Sequence, residues 1–336
     1  MNIIEQLKEG ASFLNITRQN EQFLSPEKSD DQLHHFEIID TGIILVAPKV
    51  MTKEEAIILS CAIHGNETAP IEILDEILID VFAGKITLKS PFLFIFGNPK
   101  AMNTATRFID YNLNRLFVGA HKKKEPCYET QRAARLEEAV DYFYKSFDFN
   151  SKLHYDLHTA IKPSAYEKFA IYPYLKDREH SKEQLFFLSE LGLDAILFSK
   201  SASTTFSHHT TQRYKAHAFT VELGKVHSFG NNPMEKFTKA KETLRALAAG
   251  EFQFSGPPLP KDLALFDIEM KIIKHDDSFS FIFPKETPNF TSFKKGQPLY
   301  REGEQEFLCP KEGLCIVFPN EDVNNGQRAG LLVKKR

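Results

Sequence analysis

The sequence has no excess of positive charge, and this absence excludes a whole class of partners. Its 42 basic residues stand against 45 acidic ones, which gives a formal net charge of -3. No general positive field therefore exists to bind nucleic acid or an anionic membrane. An anion would have to be bound by a few local arginines or lysines. We expect the partner to be a small anionic molecule, with no nucleic acid and no membrane, and the sequence leaves open whether the chain forms a homo-oligomer.

Paired cysteines and long apolar runs are also absent. Cys61, Cys127, Cys309 and Cys315 form no CxxC pair, which favours reduced thiols in a cytoplasmic protein. The first residues, MNIIEQLKEGASF, lack the basic start and the continuous apolar stretch of a secretory signal. The apolar run AIILSCAIHG is too short to span a bilayer. These features predict a cytoplasmic protein without a membrane segment.

What the chain does contain is an alternation typical of an α/β layer fold. From about residue 35 to 255, short strand-like runs alternate with amphipathic segments, which predicts a mixed sheet flanked by helices. The segment FSGPPLP, residues 254–260, interrupts this pattern because its prolines cannot continue a helix or a central strand. Beyond it, apolar or alternating runs between Gly, Pro and Asn clusters predict a small all-β module. We therefore predict two unequal domains, 1–253 and 254–336.

The segment IHGNETAP places two ligand-type residues between a predicted strand and a predicted helix. His64 and Glu67 follow the strand AIILSCAI, and Pro70 suits the first turn of the helix behind them. Both side chains are thus expected at the carboxyl end of a strand, where ligand crevices form in open α/β sheets. Their three-residue spacing allows them to converge on one point, and Gly65 is expected to allow the sharp turn. Taken alone, an HxxE pair is more often two ordinary loop residues.

A catalytic zinc site usually needs a third protein ligand besides a water molecule, and His158 is the best candidate. It lies near the end of the predicted strand LHYDLHTA, where alternation places it on one face with His154 and Asp156. Asp156 is then able to accept a hydrogen bond from a ligand histidine. The alternative is that a strand-end histidine is an ordinary hydrogen-bonded structural residue.

A third strand, AFTVELG, contains Glu222. A carboxylate in such an apolar strand is costly to bury without a function or a partner, so Glu222 is our candidate general base. His208 and His209 in TTFSHHTT are spare ligand candidates that no predicted strand places near the others.

Two arginines follow the strand FLFIFGN. The segment GNPKAMNTATRFIDYNLNRLF contains Arg107, Asp110, Asn114 and Arg115. Guanidinium groups bind carboxylates bidentately, so two of them near a metal indicate a substrate with carboxylates or a developing oxyanion. For either arginine taken singly, the alternative is a surface salt bridge to Asp110.

Several of these motifs together resemble a known family. SCAIHGNETAPIEIL, GNPKAMNTATRFIDYNLNRLF, DLHTAI, TVELGKVHSFG and VFPNEDVNNGQRAGLLV are similar to the motifs of the succinylglutamate desuccinylase and aspartoacylase family, within the zinc carboxypeptidase superfamily. The resemblance extends over nearly the whole chain. It implies a zinc carboxypeptidase-like catalytic domain at 1–253, with a mixed sheet flanked by helices. A smaller C-terminal all-β domain at 254–336 would narrow access to the zinc.

The resemblance also implies a metal site and a catalytic base. It assigns one Zn²⁺ per subunit to His64, Glu67 and His158. Glu222 matches the family's catalytic glutamate. These assignments agree with the candidates obtained from the strand pattern.

The same resemblance implies how the substrate is bound. Arg107 falls where the family places an arginine near the scissile carbonyl, and Asn114 with Arg115 matches an Asn-Arg pair that binds a substrate carboxylate. The implied reaction is hydrolysis of N2-succinyl-L-glutamate to succinate and L-glutamate, the last step of a bacterial arginine catabolic route. An aspartoacylase-type N-acyl amino acid deacylase or a zinc carboxypeptidase would use the same chemistry and stays the alternative.

Overall fold

A computed structural model describes residues 2–254 and 258–336 of the chain. The helices of these residues, in chain order, are α1 (Ile3–Lys8), α2 (Phe13–Gln19), α3 (Thr68–Phe82), α4 (Pro99–Asn103), α5 (Tyr128–Ser146), α6 (Lys182–Glu190), α7 (Phe206–Tyr214) and α8 (Thr238–Ala248). Short 3-10 helices lie at Leu113–Arg115, Ala120–Lys123 and Met234–Phe237. No helix of these residues is both long enough and apolar enough to cross a membrane.

The strands form one large mixed sheet and one small sheet. The strands are β1 (Glu27–Asp30), β2 (His34–Asp40), β3 (Ile43–Pro48), β4 (Glu55–Cys61), β5 (Phe92–Phe96), β6 (Ser151–Ala160), β7 (Phe169–Tyr172), β8 (Ala195–Phe198), β9 (His217–Lys225), β10 (Ala264–Ile273), β11 (Ser280–Phe281), β12 (Thr291–Phe293), β13 (Pro298–Glu302), β14 (Gln305–Leu308), β15 (Leu314–Val317) and β16 (Arg328–Lys335). In the large sheet the order is β1-β2-β3-β5-β4-β6-β9-β7-β8-β10-β16-β15-β12, and β11-β13-β14 form the small one.

Four neighbouring strands at the centre of the large sheet, β5, β4, β6 and β9, are mutually parallel. They are almost entirely buried, as strands with both faces covered should be, and this explains their continuous apolar sequences. Because they are parallel, their carboxyl ends lie along one edge of the sheet. This edge is where the predicted crevice lies, since the proposed metal ligands, Glu222 and the two arginines follow these strands or lie near their carboxyl ends.

The predicted fold class is confirmed, and the predicted strands AIILSCAI, FLFIFGN, LHYDLHTA and AFTVELG are present as β4, β5, β6 and β9, with the predicted helix at Pro70 present as α3. Four helices of the described residues are followed, two positions after their last residue, by a glycine with positive φ, namely Gly10 at 98°, Gly84 at 70°, Gly192 at 84° and Gly250 at 70°. A left-handed residue closes the last helical turn at such positions, which glycine does without strain. Sequence patterns missed α7, because its polar segment FSHHTTQRY has little amphipathic periodicity.

The C-terminal residues 258–336 that the structure describes contain strands and no helix. This module is not detached from the main sheet, because β10 pairs in parallel with β8 and antiparallel with β16. The predicted boundary at 253/254 adjoins residues 255–257, which lie outside the described residues. The division into 1–253 and 254–336 therefore stays a prediction.

Candidate metal centre

Three buried ligand-type side chains meet at the carboxyl ends of β4 and β6. His64 Nδ1 lies 2.9 Å from one carboxylate oxygen of Glu67, and His158 Nδ1 lies 2.7 Å from the other. One ligand atom from each of the three residues lies within 4.8 Å of the others. The structure thus brings together the three residues that the sequence proposed as ligands, although they come from two strands separated by about ninety positions.

The local backbone explains how His64 and Glu67 reach this point. The chain turns at Ala62, which has a φ of 56°. Glu67 then occupies the N-cap position of α3 without a side-chain capping bond, and Pro70 lies in the first turn as predicted. Gly65 lies in the turn as expected, since the backbone N–H of Glu67 donates to the carbonyl of His64 at 3.3 Å across it. Its φ is not in the left-handed region, so the turn itself does not demand glycine. Gly65 is required for another reason. A Cβ there would lie 2.1 Å from the carbonyl carbon of Ala101, so only glycine allows the two backbones to approach.

The Nε2 nitrogen of each imidazole has its own oxygen partner. His64 Nε2 lies 3.0 Å from Asn112 Oδ1, and His158 Nε2 lies 2.9 Å from Asp156 Oδ2. Histidines that bind a metal through one ring nitrogen commonly donate a hydrogen bond from the other. Here a bond from Nε2 leaves Nδ1 for the ion. The predicted contact of Asp156 is present. The sequence analysis did not identify Asn112. The only feature that could have indicated it is its position two residues before Asn114.

The donor atoms of the cluster suit a divalent cation. Burial lowers the pKa of His64 to about 4, so its imidazole is in the neutral form that a metal requires. Burial opposes ionisation of Glu67, but His64, His158 and Arg107 together hold its pKa well below the usual range. Two imidazole nitrogens and one carboxylate make the donor set of many catalytic zinc sites. The residues present therefore fit the metal that the sequence implies.

A chain of hydrogen bonds extends behind Asp156. Its second carboxylate oxygen accepts from Ser60 Oγ at 2.6 Å, and that hydroxyl lies 2.8 Å from Nε2 of His154. His154 Nδ1 in turn lies 2.9 Å from Thr210 Oγ1. His154 is thus a hydrogen-bonded structural residue that supports Asp156 from behind, rather than a fourth ligand.

Glu222 lies beside the cluster with an unpaired carboxylate. It is on β9 directly opposite His158 on β6, and only 7% of its surface is exposed. Its Oε2 has no hydrogen-bond partner among the described residues. Burial raises the pKa of Glu222 to about 7, with a further contribution from the charge of Glu67. A buried carboxyl group that titrates near neutral pH can both accept and release a proton, as a general base must.

Arg107 lies at the metal cluster. Its guanidinium donates to Glu67 Oε1 at 2.6 Å, and its backbone carbonyl accepts from the N–H of Gly65 at 3.2 Å. The alternative of a surface salt bridge to Asp110 is wrong for Arg107 and for Arg115. Within residues 2–254 and 258–336, neither arginine forms an ion pair with Asp110.

Asn114 and Arg115 line a cavity of about 110 Å³ that also contacts His64, His158 and Glu222. Asn114 Oδ1 accepts from the backbone N–H of Phe206 at 2.9 Å, which turns the side-chain NH₂ group away from that bond and leaves it for a ligand.

The spare ligand candidates His208 and His209 lie on α7, outside the metal cluster. His209 Nδ1 is instead 3.4 Å from a carboxylate oxygen of Glu137. Sequence analysis placed both below His158, and the structure agrees with that order.

Glu129 on α5 holds residues 107–115, the arginine loop, in place. This residue was not identified from the sequence. Its fully buried carboxylate accepts from the backbone N–H groups of Ile109 at 2.7 Å and Asp110 at 3.0 Å. It also accepts from Asn98 Nδ2 at 3.2 Å. These bonds span the segment between Arg107 and Asn112, so one side chain positions residues on both sides of the cavity.

We predict that Glu129→Gln destabilises the fold by about 1–3 kcal/mol, because one oxygen that accepts backbone N–H groups becomes a donor. The KM should also rise, since the arginine loop loses its support. Urea denaturation and steady-state kinetics measure the two effects. Glu138→Gln, on the exposed side of the same helix, is the matched control and should change neither. Equal stability of the two variants would contradict the role of Glu129.

Comparison with known proteins gives consistent results for both parts of the chain. The family model described as the succinylglutamate desuccinylase/aspartoacylase catalytic domain matches residues 53–248, and the AstE/AspA barrel-sandwich hybrid domain matches residues 261–336. A protein named succinylglutamate desuccinylase from Pseudoalteromonas atlantica is 44% identical, over 98% of this chain and 96% of its own. One of the same name from Shewanella piezotolerans is 43% identical, over 99% and 98%.

Solved structures agree with these sequence matches. The X-ray structure of a succinylglutamate desuccinylase from Vibrio parahaemolyticus has a TM-score of 0.88 and 35% identity, and covers 96% of this chain and 95% of its own. That from Chromobacterium violaceum has a TM-score of 0.83 and 34% identity, with coverage of 97% and 98%.

Fold, site and relatives together define a hydrolytic enzyme with a candidate metal centre at the carboxyl edge of a mixed sheet. The chain belongs to the succinylglutamate desuccinylase/aspartoacylase family.

Proposed function

We propose that the enzyme hydrolyses N2-succinyl-L-glutamate to succinate and L-glutamate, with one zinc ion bound by His64, Glu67 and His158. The observation that carries this proposal is the convergence of these residues with Glu222 and Arg107 beside one cavity. The proposal is supported by relatives named succinylglutamate desuccinylase that match nearly the full length of the chain.

The protein's own groups would divide the reaction between them. Bound zinc would supply Lewis-acid polarisation of the amide carbonyl and would lower the pKa of a water molecule toward about 7. Glu222 would accept a proton from the attacking water at its unpaired Oε2 and pass it to the nitrogen of the leaving amine. Arg107 would stabilise negative charge on the carbonyl oxygen. Asn114 and Arg115 would orient the substrate by a carboxylate.

One substrate panel tests this proposal against its alternatives. Purified enzyme is assayed with N2-succinyl-L-glutamate, with N-acetyl-L-aspartate and with a short peptide that has a free C-terminal carboxylate. Metal content is measured on the same sample. Hydrolysis of the first substrate with the highest kcat/KM supports the proposal. A preference for N-acetylaspartate would make the enzyme an aspartoacylase-type deacylase, and a preference for the peptide would make it a carboxypeptidase.

For Arg115→Ala we predict a KM for N2-succinylglutamate raised by about 30-fold or more, with a smaller change in kcat. The guanidinium is expected to bind a carboxylate equally in the ground state and the transition state, and such pairs are worth about 2 kcal/mol or more when desolvated. Steady-state kinetics measure this, with the exposed Arg213→Ala on α7 as control. A lower kcat at unchanged KM would point to an oxyanion role instead.

The biological setting is part of the same proposal. We assign the reaction to bacterial arginine catabolism in the cytoplasm, with a small anionic substrate as the partner. Cell fractionation followed by the succinylglutamate assay tests the compartment. Formation of a homo-oligomer stays a prediction, for which light scattering of the purified protein is the measurement.

A further inference from the structure

The cavity beside the metal centre contains more positive charge than its own residues neutralise. Arg107, Arg115 and Arg328 line it, whereas Glu222 is the one carboxylate among the described residues that does so. Arg107 is already paired with Glu67. Arg115 and Arg328 have no carboxylate oxygen within 4.0 Å in the described part of the chain. An anionic ligand is the natural compensation for such a cavity.

Arg328 is contributed by the C-terminal strand β16, far along the chain from the other site residues. Its guanidinium carbon lies 5.5 Å from the centre of the Phe318 ring, and its Nε is buried without a hydrogen-bond partner. Burial lowers the pKa of Arg328 to about 10, with Arg107 adding to the effect, so the side chain stays charged at neutral pH. Burying a cationic donor without a hydrogen-bond partner costs free energy unless a bound ligand accepts its hydrogen bond.

The number of unpaired guanidinium groups indicates which half of the substrate enters this cavity. An N-succinylglutamate molecule has one carboxylate on the succinyl side of the amide and two on the glutamate side. Two unpaired guanidinium groups in one small cavity match the side with two carboxylates. The succinyl half then extends into the adjoining cavity of about 350 Å³, which Phe281, Phe283 and Phe318 line together with Lys162.

Resting on the proposed function, we propose that Arg328 binds the side-chain carboxylate of the glutamate half and so determines which amino acid the enzyme releases. The α-carboxylate, which is closer to the scissile nitrogen, binds Asn114 and Arg115. This order follows from the geometry, because the loop of Asn114 contacts the metal cluster directly through Asn112 and His64. In the described part of the chain, no hydrogen bond or ion pair joins Arg328 to any of the three ligand residues.

The test compares two substrates that differ in one charge, N2-succinyl-L-glutamate and N2-succinyl-L-glutamine. The wild-type enzyme should prefer the first by about 100-fold in kcat/KM, the size of effect expected for a desolvated charge pair. Arg328→Gln should lower kcat/KM for succinylglutamate by a similar factor, mostly through KM, and leave succinylglutamine within a few-fold. Arg328→Lys should restore part of the preference. Arg301→Gln, which removes an exposed ion pair with Glu306 in the same C-terminal segment, should change neither substrate.

Two results would overturn the assignment. An equal loss on both substrates means that Arg328 has only a structural role, and an unchanged preference means that another group binds the side-chain carboxylate. Thermal denaturation gives a readout without turnover. L-glutamate, but not L-glutamine, should raise the melting temperature of the wild-type protein, and this difference should disappear in Arg328→Gln.

The same measurements separate this inference from the proposed function. A wild-type enzyme that fails to hydrolyse succinylglutamate contradicts the proposed function, whatever Arg328 does. In that case the glutamate-dependent thermal shift still shows whether Arg328 binds a side-chain carboxylate, and its absence in the wild-type protein overturns the inference as well.

Discussion

Replacing Glu222 with glutamine is expected to lower kcat by about 100- to 10,000-fold, the range over which general acid-base catalysis contributes. The amide has nearly the shape of the carboxyl group but cannot accept the proton of the attacking water. Because Oε2 of Glu222 has no hydrogen-bond partner in the described residues, the substitution breaks no protein bond there. The fold and the metal should therefore be retained. Elemental analysis and steady-state kinetics on the same preparation measure both.

Glu251→Gln serves as the control for this experiment, since Glu251 is exposed and lies three residues after the end of α8. It removes the same charge without touching the site. Activity of Glu222→Gln close to that of the control would exclude Glu222 as the base. A loss of metal along with activity would instead place Glu222 among the ligands.

The second large effect is expected at the ligands. Alanine at His64, Glu67 or His158 should reduce bound zinc and abolish measurable turnover. Removing a residue that hydrogen-bonds to a metal ligand already lowers the metal affinity by about 10- to 100-fold. Removing a ligand itself should therefore lower the metal affinity by more than about 100-fold. Zinc content by elemental analysis after dialysis against a chelator measures the loss. Adding zinc back should restore activity to the stripped wild-type enzyme and not to these variants.

His209→Gln is the matched control, because His209 is a buried histidine that lies outside the cluster. This variant should retain one zinc per chain. Full zinc retention in all three alanine variants would contradict the ligand assignment, whereas zinc loss in the control would show that the metal lies elsewhere.

Much of this site could be anticipated, because it is built from strand ends. Apolar runs locate the strands β4, β6 and β9, and the polar residues that interrupt or follow them had to lie at their ends. Local spacing then accounts for His64 with Glu67, and alternation accounts for His158 with Asp156. The turn at Gly65 was predicted correctly, but the need for glycine there arises from Ala101, a residue that local turn rules do not consider.

By itself, the sequence determined the residue types, the central strands of the α/β domain, the family motifs and the candidate ligands, since these depend on local periodicity and spacing. Only the tertiary structure decided that β5, β4, β6 and β9 are neighbours, that Arg107 pairs with Glu67 rather than Asp110, and that Arg328 lies beside Arg115. The physical reason is that an ion pair or an unpaired charge is defined by its distance to other groups. Between Arg107 and Arg328 that distance depends on how β16 joins the sheet through β10 and β8, which no local pattern encodes.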